Sequence, residues 1–241
     1  MSYKFNKLYD YPRSMRTLVG GKRHYDIREE KLPSVTTILS ACQSDEKKAS
    51  LAAWKARMGD KAADEVRDLA AARGTAMHTY LEHYLDGTGY KDLTTLGKQA
   101  EVMANKIIES GLGDLEELWG LETTLYYPDL YAGATDVVGI YAGQPAIIDF
   151  KQSNKPKRRE WIEDYFEQLG AYCMAHNYDY GTKIQSGIIL MCTKDFMFQK
   201  FEVSGREFVR YQHAFLKKVD QYHKNCTQAK EGQDTKNDEK V

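Results

Sequence analysis

The chain has 241 residues, and its 34 basic and 35 acidic side chains give it a formal net charge of −1. This length allows one substantial hydrophobic core with a helical elaboration. The balanced charge excludes an overall basic field, so a nucleic-acid partner would have to bind a local basic patch. The four cysteines lie far apart without a CxxC pair, which argues against a zinc knuckle and indicates unpaired thiols in a reducing compartment.

The sequence shows no sign of export or of membrane insertion. It begins without an apolar run of signal-peptide length, and no later segment is apolar for long enough to span a membrane. Residues 1–30 contain four acidic side chains, which is untypical of a mitochondrial targeting segment. We therefore expect a soluble, cytoplasmic protein with no membrane partner.

The N-terminal part of the chain predicts a hairpin followed by helices. Residues 16–27 have the pattern of a β-hairpin that turns at two glycines. Ser34 is placed to cap a short helix after an extended segment. Residues 45–73 are rich in Ala, Lys, Glu and Arg, which predicts a helix broken at Gly59. A further helix is expected to follow Gly74.

The C-terminal part of the chain alternates helices and strands. The predicted elements are a helix over residues 96–110, a strand over 118–127, a hairpin over 131–151, a helix over 160–176, strands over 184–192 and 197–203, and a helix over 206–223. Almost no apolar side chain follows, so disorder is expected there. These elements predict an α/β domain with an N-terminal helical arm over residues 1–95, a core over 96–224 and a polar tail over 225–241.

Two carboxylates and a lysine, in the motifs GATD and IIDFK, mark the candidate site. β-branched and aromatic runs flank the glycine, glutamine and proline at 143–145, which predicts the hairpin turn. Asp149 and Lys151 lie two residues apart and should share one sheet face. Asp136 on the neighbouring strand should lie within reach of that face. A divalent cation could then bind both carboxylates, with the Phe150 carbonyl oxygen as a further ligand.

The lysine beside these carboxylates supplies the expected chemistry. Lys151 would be free to orient or deprotonate an attacking water and to balance charge on a phosphate. The alternative is an Asp-x-Lys that occurs by chance at a sheet edge. Asp149, however, follows the apolar residues 146–148, and an isolated carboxylate in a buried strand would be costly. This context favours a metal-dependent phosphodiesterase.

Other polar side chains are candidates for the same site, each with a plain structural alternative. His78 and Glu82 share a helix face, so Glu82 could orient a metal-binding His78, or both could be ordinary packed or surface residues. Gln168 and Tyr172 could hold a phosphate or the nucleophile, or Tyr172 could pack in the core. Glu122 is a third acidic candidate near the metal, or part of an exposed strand face.

A basic run follows the hairpin and contains Lys155, Lys157 and Arg158. Trp161 lies beside this run and could stack on an unpaired base. The alternative is an ordinary solvated turn before a helix. The run therefore gives only secondary support to a nucleic-acid partner.

The combined motifs resemble the PD-(D/E)xK nuclease superfamily, in the branch that contains RecB-type nuclease domains. RGTAMH, GATD, IIDFK and QLGAY stand in the family's order and spacing. PSVTTIL, WKARM and the Lys-Pro pair after the IIDFK strand are similar to the mitochondrial genome maintenance exonucleases. The resemblance covers roughly residues 33–222. It implies a restriction-endonuclease-like core, a mixed sheet flanked by helices, with the helical arm arching over the site and admitting single strands.

The resemblance also implies roles for the matched residues and a divalent metal, Mg²⁺ or Mn²⁺. The complete set of expected site residues comprises the metal ligands His78, Asp136, Asp149 and Phe150, the catalytic Lys151 with Gln168 and Tyr172, the nucleic-acid contacts Arg73, Lys155, Lys157, Arg158 and Trp161, and the supporting carboxylates Glu82 and Glu122. No iron–sulfur cluster is expected, because the cysteines do not form the closely spaced group of cluster-bearing relatives.

The implied function is hydrolysis of single-stranded DNA by an exonuclease in replication, repair or recombination, with replication or recombination proteins as further partners. Alternatives are a structure-specific flap endonuclease and a nucleic-acid-binding module that does not cleave. Because the sequence starts without a targeting segment, we expect a phage or bacterial relative that acts in the cytoplasm of a bacterium or of an infected host.

Overall fold

The computed structural model describes residues 4–238, with side chains up to residue 228. Its helices and strands, in chain order, are β1 (Lys4–Phe5), β2 (Ser14–Val19), β3 (Lys22–Ile27), β4 (Glu30–Pro33), α1 (Val35–Ala41), α2 (Asp45–Met58), α3 (Asp60–Asp86), α4 (Thr95–Gly111), β5 (Leu115–Tyr127), β6 (Tyr131–Tyr141), β7 (Gln144–Ser153), α5 (Glu163–Tyr180), β8 (Ser186–Thr193), β9 (Phe198–Ser204) and α6 (Gly205–Asp238). Short 3₁₀ turns precede β5 and α5. None of the helices in residues 4–238 combines the length and the apolar character that a membrane span requires.

A six-stranded mixed sheet forms the centre of the molecule, in the order β1-β5-β6-β7-β8-β9. β1 pairs with β5 and β7 with β8 in parallel, and the other neighbours are antiparallel. The parallel β7–β8 pair needs a crossover, which α5 provides, whereas β5, β6 and β7 follow one another through tight turns. The turn from β6 to β7 uses Ala142 and Gly143, both with positive φ, one residue earlier than predicted.

Helices cover both faces of this sheet, and strand alternation divides the core between them. On one face, Leu81 of α3 and Ile107 of α4 share a hydrophobic cluster with Ile148 of β7. On the other face, Phe166 of α5 shares a cluster with Ile147, the preceding residue of β7. Adjacent strand residues point to opposite faces, so a continuous apolar run serves two helical layers. The expected α/β fold, with a mixed sheet flanked by helices, is confirmed.

The N-terminal region contains the predicted hairpin and an additional strand. β2 and β3 pair from Ser14 with Ile27 to Val19 with Lys22, and β4, which was not predicted, extends them to a three-stranded sheet. Ser34 caps α1 as predicted, since its Oγ accepts a hydrogen bond from the Thr37 N–H at 3.0 Å. α2 buries none of its side chains, so it stands away from the sheet.

The helical region differs from the prediction at Gly74. A break occurs at Gly59, which has φ +81°, but α3 continues through Gly74, where a new helix had been expected to begin. A Cβ at position 74 would lie 3.2 Å from the side chain of Gln152. Glycine therefore serves close packing of α3 against the end of β7 rather than a helix boundary. The C-terminal half of α3 packs on the sheet, and the proposed domain division at residue 95 stays a prediction.

The prediction of a disordered tail from residue 225 was wrong as far as residue 238, because α6 extends to that position. Ala, Lys, Gln and Glu are good helix formers, and adding them to a helix already packed on the core avoids the cost of nucleation. The last three residues lie outside the described part of the chain.

Candidate active site

The site forms where β6 and β7 separate. Their pairing ends at Val137 and Ile148, after which β6 remains paired with β5 and β7 with β8. Asp136 and Asp149 are the next residues on the two strands, and both are buried. The divergence leaves space for the two carboxylates between β6 and β7. The hairpin register predicted that Asp136 would lie within reach of Asp149.

Asp136 joins β6 to the backbone of β7 and to α3. Its Oδ2 accepts a hydrogen bond from the Phe150 N–H at 2.5 Å, and its Oδ1 lies 3.1 Å from His78 Nδ1. Burial opposes ionisation of Asp136, but the charge and hydrogen bond of His78, the charge of Lys151 and the Phe150 N–H together outweigh it, so the pKa of Asp136 lies below its ordinary value. Burial also opposes protonation of His78, yet Asp136 raises the pKa of His78 to about 9. Each group thus stabilises the charged form of the other, and a cation that binds between them would displace the His78 proton.

Glu122 of β5 is a third group at the same place that could hold a metal ion. His78, Glu122 and Asp136 offer one ligand atom each, and these atoms lie within 4.8 Å of one another. Glu122 has φ +47°, a left-handed conformation that is uncommon in a strand and is found at functional sites. Burial and the Asp136 charge raise the pKa of Glu122 to about 7. The nearby charge of Glu82 on α3 contributes in the same direction.

Lys151, Asp149 and Gln168 form a connected group on the α5 side. Lys151 Nζ lies 2.5 Å from Asp149 Oδ2 and donates to Gln168 Oε1 at 3.1 Å. Gln168 Nε2 donates to the Tyr172 hydroxyl at 3.1 Å and lies 3.4 Å from Asp149 Oδ1. Burial lowers the pKa of Lys151, but Asp149 and Asp136 raise it more, so its pKa lies above the ordinary value. The predicted proximity of the two pairs, Asp149 with Lys151 and Gln168 with Tyr172, is confirmed.

The glycine of GATD is required by the position of Tyr172. A Cβ at Gly133 would lie 2.8 Å from Tyr172 Cε1, closer than real side-chain carbons approach. The bare backbone of β6 therefore lets the Tyr172 ring lie against the strand while its hydroxyl accepts from Gln168. The sequence analysis used GATD as a motif and missed this packing role of its glycine.

Some predicted site residues lie elsewhere. Arg73 is only 3 % exposed, and its guanidinium donates to the side chains of Gln152 and Asn154. The prediction that Arg73 contacts nucleic acid does not fit this placement, because its buried guanidinium instead ties α3 to the end of β7. The Phe150 N–H contacts Asp136, and a metal-binding role for its carbonyl stays a prediction.

The basic run after β7 lies on the surface. Lys155 and Arg158 are exposed, Lys157 is half-buried, and Trp161 is 59 % exposed. The Arg158 guanidinium lies 5.3 Å from the centroid of the Trp161 ring, an attractive cation–π arrangement. These four residues are accessible, and their contact with nucleic acid stays a prediction.

A groove leads from the surface to Lys151. It is lined by α1 and the following residues, including Thr36, Ser40 and Gln43, and by Tyr165 and Gln168 of α5. Lys151 Nζ lies 5.0 Å from the centroid of the Tyr165 ring. Tyr165 and the α1 side chains were not predicted as site residues, since only the folded chain brings them to Lys151.

Comparison with known proteins gives exonuclease relatives, although no family model matches the chain. The sequence is 30% identical over 178 residues to mitochondrial genome maintenance exonuclease 1 of Xenopus tropicalis, covering 68% of this chain and 49% of that protein. The human protein of the same name is 29% identical over 182 residues, covering 70% and 51%. The chain thus spans about half the length of these relatives. The resemblance predicted from the motifs is confirmed and is consistent with a PD-(D/E)xK-like nuclease.

Solved structures show weaker similarity. A crystal structure from Eubacterium rectale, provisionally described as an exonuclease, has a TM-score of 0.48 at 14% identity, covering 66% of this chain and 68% of that one. An alkaline exonuclease from Laribacter hongkongensis has a TM-score of 0.29 at 13% identity, covering 66% and 84%. At these scores neither structure bears on the function of this chain.

Proposed function

We propose that this chain, similar to the mitochondrial genome maintenance exonucleases, is a metal-dependent exonuclease that hydrolyses single-stranded DNA in replication, repair or recombination. One observation carries the proposal: two chemical groups meet where β6 and β7 separate. His78, Glu122 and Asp136 form a cluster of cation ligands, and Lys151 is ion-paired with Asp149 beside it. Phosphodiester hydrolysis needs both charge stabilisation on the phosphate and an oriented water.

The ligand cluster fits a divalent cation such as Mg²⁺ or Mn²⁺. It offers an imidazole nitrogen and two carboxylate oxygens within 4.8 Å of one another. Carboxylate oxygens suit Mg²⁺ and Mn²⁺, and an imidazole ligand is compatible with transition metals. Asp149 is buried at the same strand opening and would be a further oxygen ligand. When bound, the ion supplies a Lewis acid for the phosphate oxygens.

Lys151 acts as a cation in this proposal and not as a base. Its carboxylate neighbours raise its pKa above the ordinary value, so the ammonium keeps its proton at neutral pH. It can therefore hold an attacking water by hydrogen bonding and offset negative charge as it develops on the phosphate. Of the two roles that the sequence left open, orientation is favoured over deprotonation.

Gln168 positions this lysine. Its carbonyl oxygen accepts from Lys151 while its amide group donates to Tyr172. Because both ends of the amide are occupied, the Lys151 ammonium is held on the side of Asp149. Tyr172 is buried, and in this arrangement it fixes Gln168 rather than contacting substrate.

The helical arm is the element that we propose selects single strands. α2 buries none of its side chains, and its N-terminal turn is joined to α5 by the ion pair of Lys47 with Asp164 at 2.8 Å. A helix held in this way restricts access to the groove beside Lys151. A flexible single strand can enter such a restricted opening more readily than a stiff duplex.

Digestion of end-labelled DNA tests the proposal. Purified protein should degrade linear single strands with Mg²⁺ or Mn²⁺ and should be inactive in EDTA. Asp149→Asn and Lys151→Ala should both abolish the activity, whereas Glu109→Gln, at an exposed carboxylate of α4, should leave it unchanged. Full activity in both site variants would show that the proposed catalytic group is wrong.

Two further measurements separate the alternatives. A circular single strand should remain intact with an exonuclease, and its cleavage would indicate an endonuclease. Calorimetry should detect Mn²⁺ binding that Glu122→Gln weakens. No metal binding together with retained DNA binding would indicate a module that does not cleave.

A further inference from the structure

The groove at Lys151 continues across α1 into a second groove. Thr36 and Ser40, one helical turn apart on α1, line both depressions. The second groove has a volume of about 580 Å³ and runs between the turn of the β2–β3 hairpin and α6. The hydroxyl-bearing face of α1 therefore forms a shared floor, and it leads directly from the catalytic lysine to the N-terminal hairpin.

The far end of this path carries positive charge without an ion-pair partner among the side chains described up to residue 228. Lys22 and Arg23, at the start of β3, line the second groove and are exposed. Neither side chain has an ion-pair partner in the part of the chain that the structure describes. Lys22 Nζ lies 5.9 Å from the centroid of the Tyr222 ring, which holds its ammonium over the groove. No acidic residue lines this groove among the described residues.

A third groove, which shares Leu39 and Gln43 with the Lys151 groove, has the opposite charge. It lies beside Trp161, between α2 and α5, and five carboxylates and two lysines line it. Lys47 is paired with Asp164, and Lys218 is paired with Glu167, so three carboxylates there lack a partner within their own groove. A polyanion that leaves the Lys151 groove meets these carboxylates between α2 and α5 and unpaired positive charge at the hairpin, so charge favours the path along α1 to the hairpin over the α2–α5 groove.

We propose that the face of α1 and the basic tip of the β2–β3 hairpin form a track for the single strand, with Lys22 and Arg23 binding backbone phosphates outside the catalytic centre. This inference rests on the proposed function, and it names the part of the surface that holds the strand during hydrolysis. Thr36 and Ser40 offer hydroxyl groups to the phosphates between the two ends. Phosphate contacts of this kind fix the position of a strand without reading its sequence.

Salt dependence of binding tests the track. Anisotropy of a labelled single strand in EDTA gives the affinity without cleavage. Each phosphate contact to a single strand contributes about 0.7 to the slope of log K against log salt, so Lys22→Ala with Arg23→Ala should reduce the slope by about 1.4. The charge-conserving pair, Lys22→Arg with Arg23→Lys, should keep the wild-type slope.

Lys183→Ala with Arg206→Ala is the matched control. These exposed residues line grooves near the start of β8 and the end of β9, and neither groove includes a residue of the β2–β3 hairpin. It should leave the slope unchanged. An unchanged slope in the hairpin variant, or an equal reduction in the control, would overturn the track. Failure of the wild type to digest DNA with metal would instead contradict the proposed function, so the two failures are distinguishable.

Discussion

The Asp136 carboxylate accepts a hydrogen bond from the Phe150 backbone N–H across the gap between β6 and β7. This bond replaces a strand-ladder bond at the point where the two strands stop pairing. It satisfies a buried backbone donor and orients the second carboxylate oxygen toward His78. Asp136 therefore bridges the two strands and also belongs to the ligand cluster. Substitution can separate these two functions.

Asp136→Asn should abolish activity while preserving the fold. The asparagine oxygen can still accept from the Phe150 N–H, but the negative charge is lost. Loss of metal-dependent charge stabilisation, worth several kcal/mol, should reduce the initial rate by about 100-fold or more. Asp136→Ala should be less stable than Asp136→Asn by about 1–3 kcal/mol in urea unfolding, because it leaves the N–H unpaired. Equal stability of the two variants would contradict the bridging role.

Gln168→Leu should reduce the rate with little change in the metal requirement. Residues that orient a catalytic or metal-binding group typically contribute about 10–100-fold to activity, and Gln168 holds the Lys151 ammonium. Gln168→Leu and Tyr172→Phe should be less than additive in a double-mutant cycle, because the Tyr172 hydroxyl acts through Gln168. Gln212→Leu, at a half-buried glutamine of α6, is the control and should keep the rate. Full additivity of the first two changes would show that Tyr172 acts independently.

Gly133→Ala should lower both stability and activity. The added Cβ would lie 2.8 Å from the Tyr172 ring, so the ring or the strand must shift, and such overpacking costs about 1–3 kcal/mol. Displacement of Tyr172 should also disturb Gln168 and reduce the rate. Gly113→Ala meets no atom within 4 Å and should change the free energy of unfolding by less than about 0.5 kcal/mol. Equal effects of the two substitutions would contradict the packing role of Gly133.

The parts of the site that the sequence predicts are those set by local periodicity. Alternation along a strand is enough to place Asp149 and Lys151 on one face, and the helical repeat is enough to pair Gln168 with Tyr172. The burial of Arg73 depends on where α3 crosses the end of β7, which no local pattern encodes. Gly74 was taken for a helix boundary because an isolated glycine in a helix gives the same local signal as a break. β4 was missed because it is short and gains its stability by pairing with β3.

Stability should decrease between about pH 6.5 and pH 4 because of His176. This side chain is fully buried among Tyr9, Tyr11 and Tyr180, and its ring nitrogens contact the Tyr11 hydroxyl at 3.1 Å and the Thr182 hydroxyl at 2.8 Å. Burial lowers the pKa of His176 to about 4. Below its ordinary pKa of about 6.5 the unfolded chain binds a proton that the folded chain does not. The free energy of unfolding should therefore decrease as the pH decreases, by up to about 3 kcal/mol at pH 4.

Urea unfolding of the wild type and of His176→Gln at pH 7 and pH 4.5 isolates this contribution. Buried carboxylates also titrate in this range, so the informative quantity is the stability difference between the two proteins at each pH. The wild type should be more stable than His176→Gln at pH 7, and most of this stability difference should disappear at pH 4.5. His213→Gln, at an exposed histidine of α6, should show no such change. A constant difference between wild type and His176→Gln would mean that His176 takes up its proton equally in both states, contrary to its buried environment.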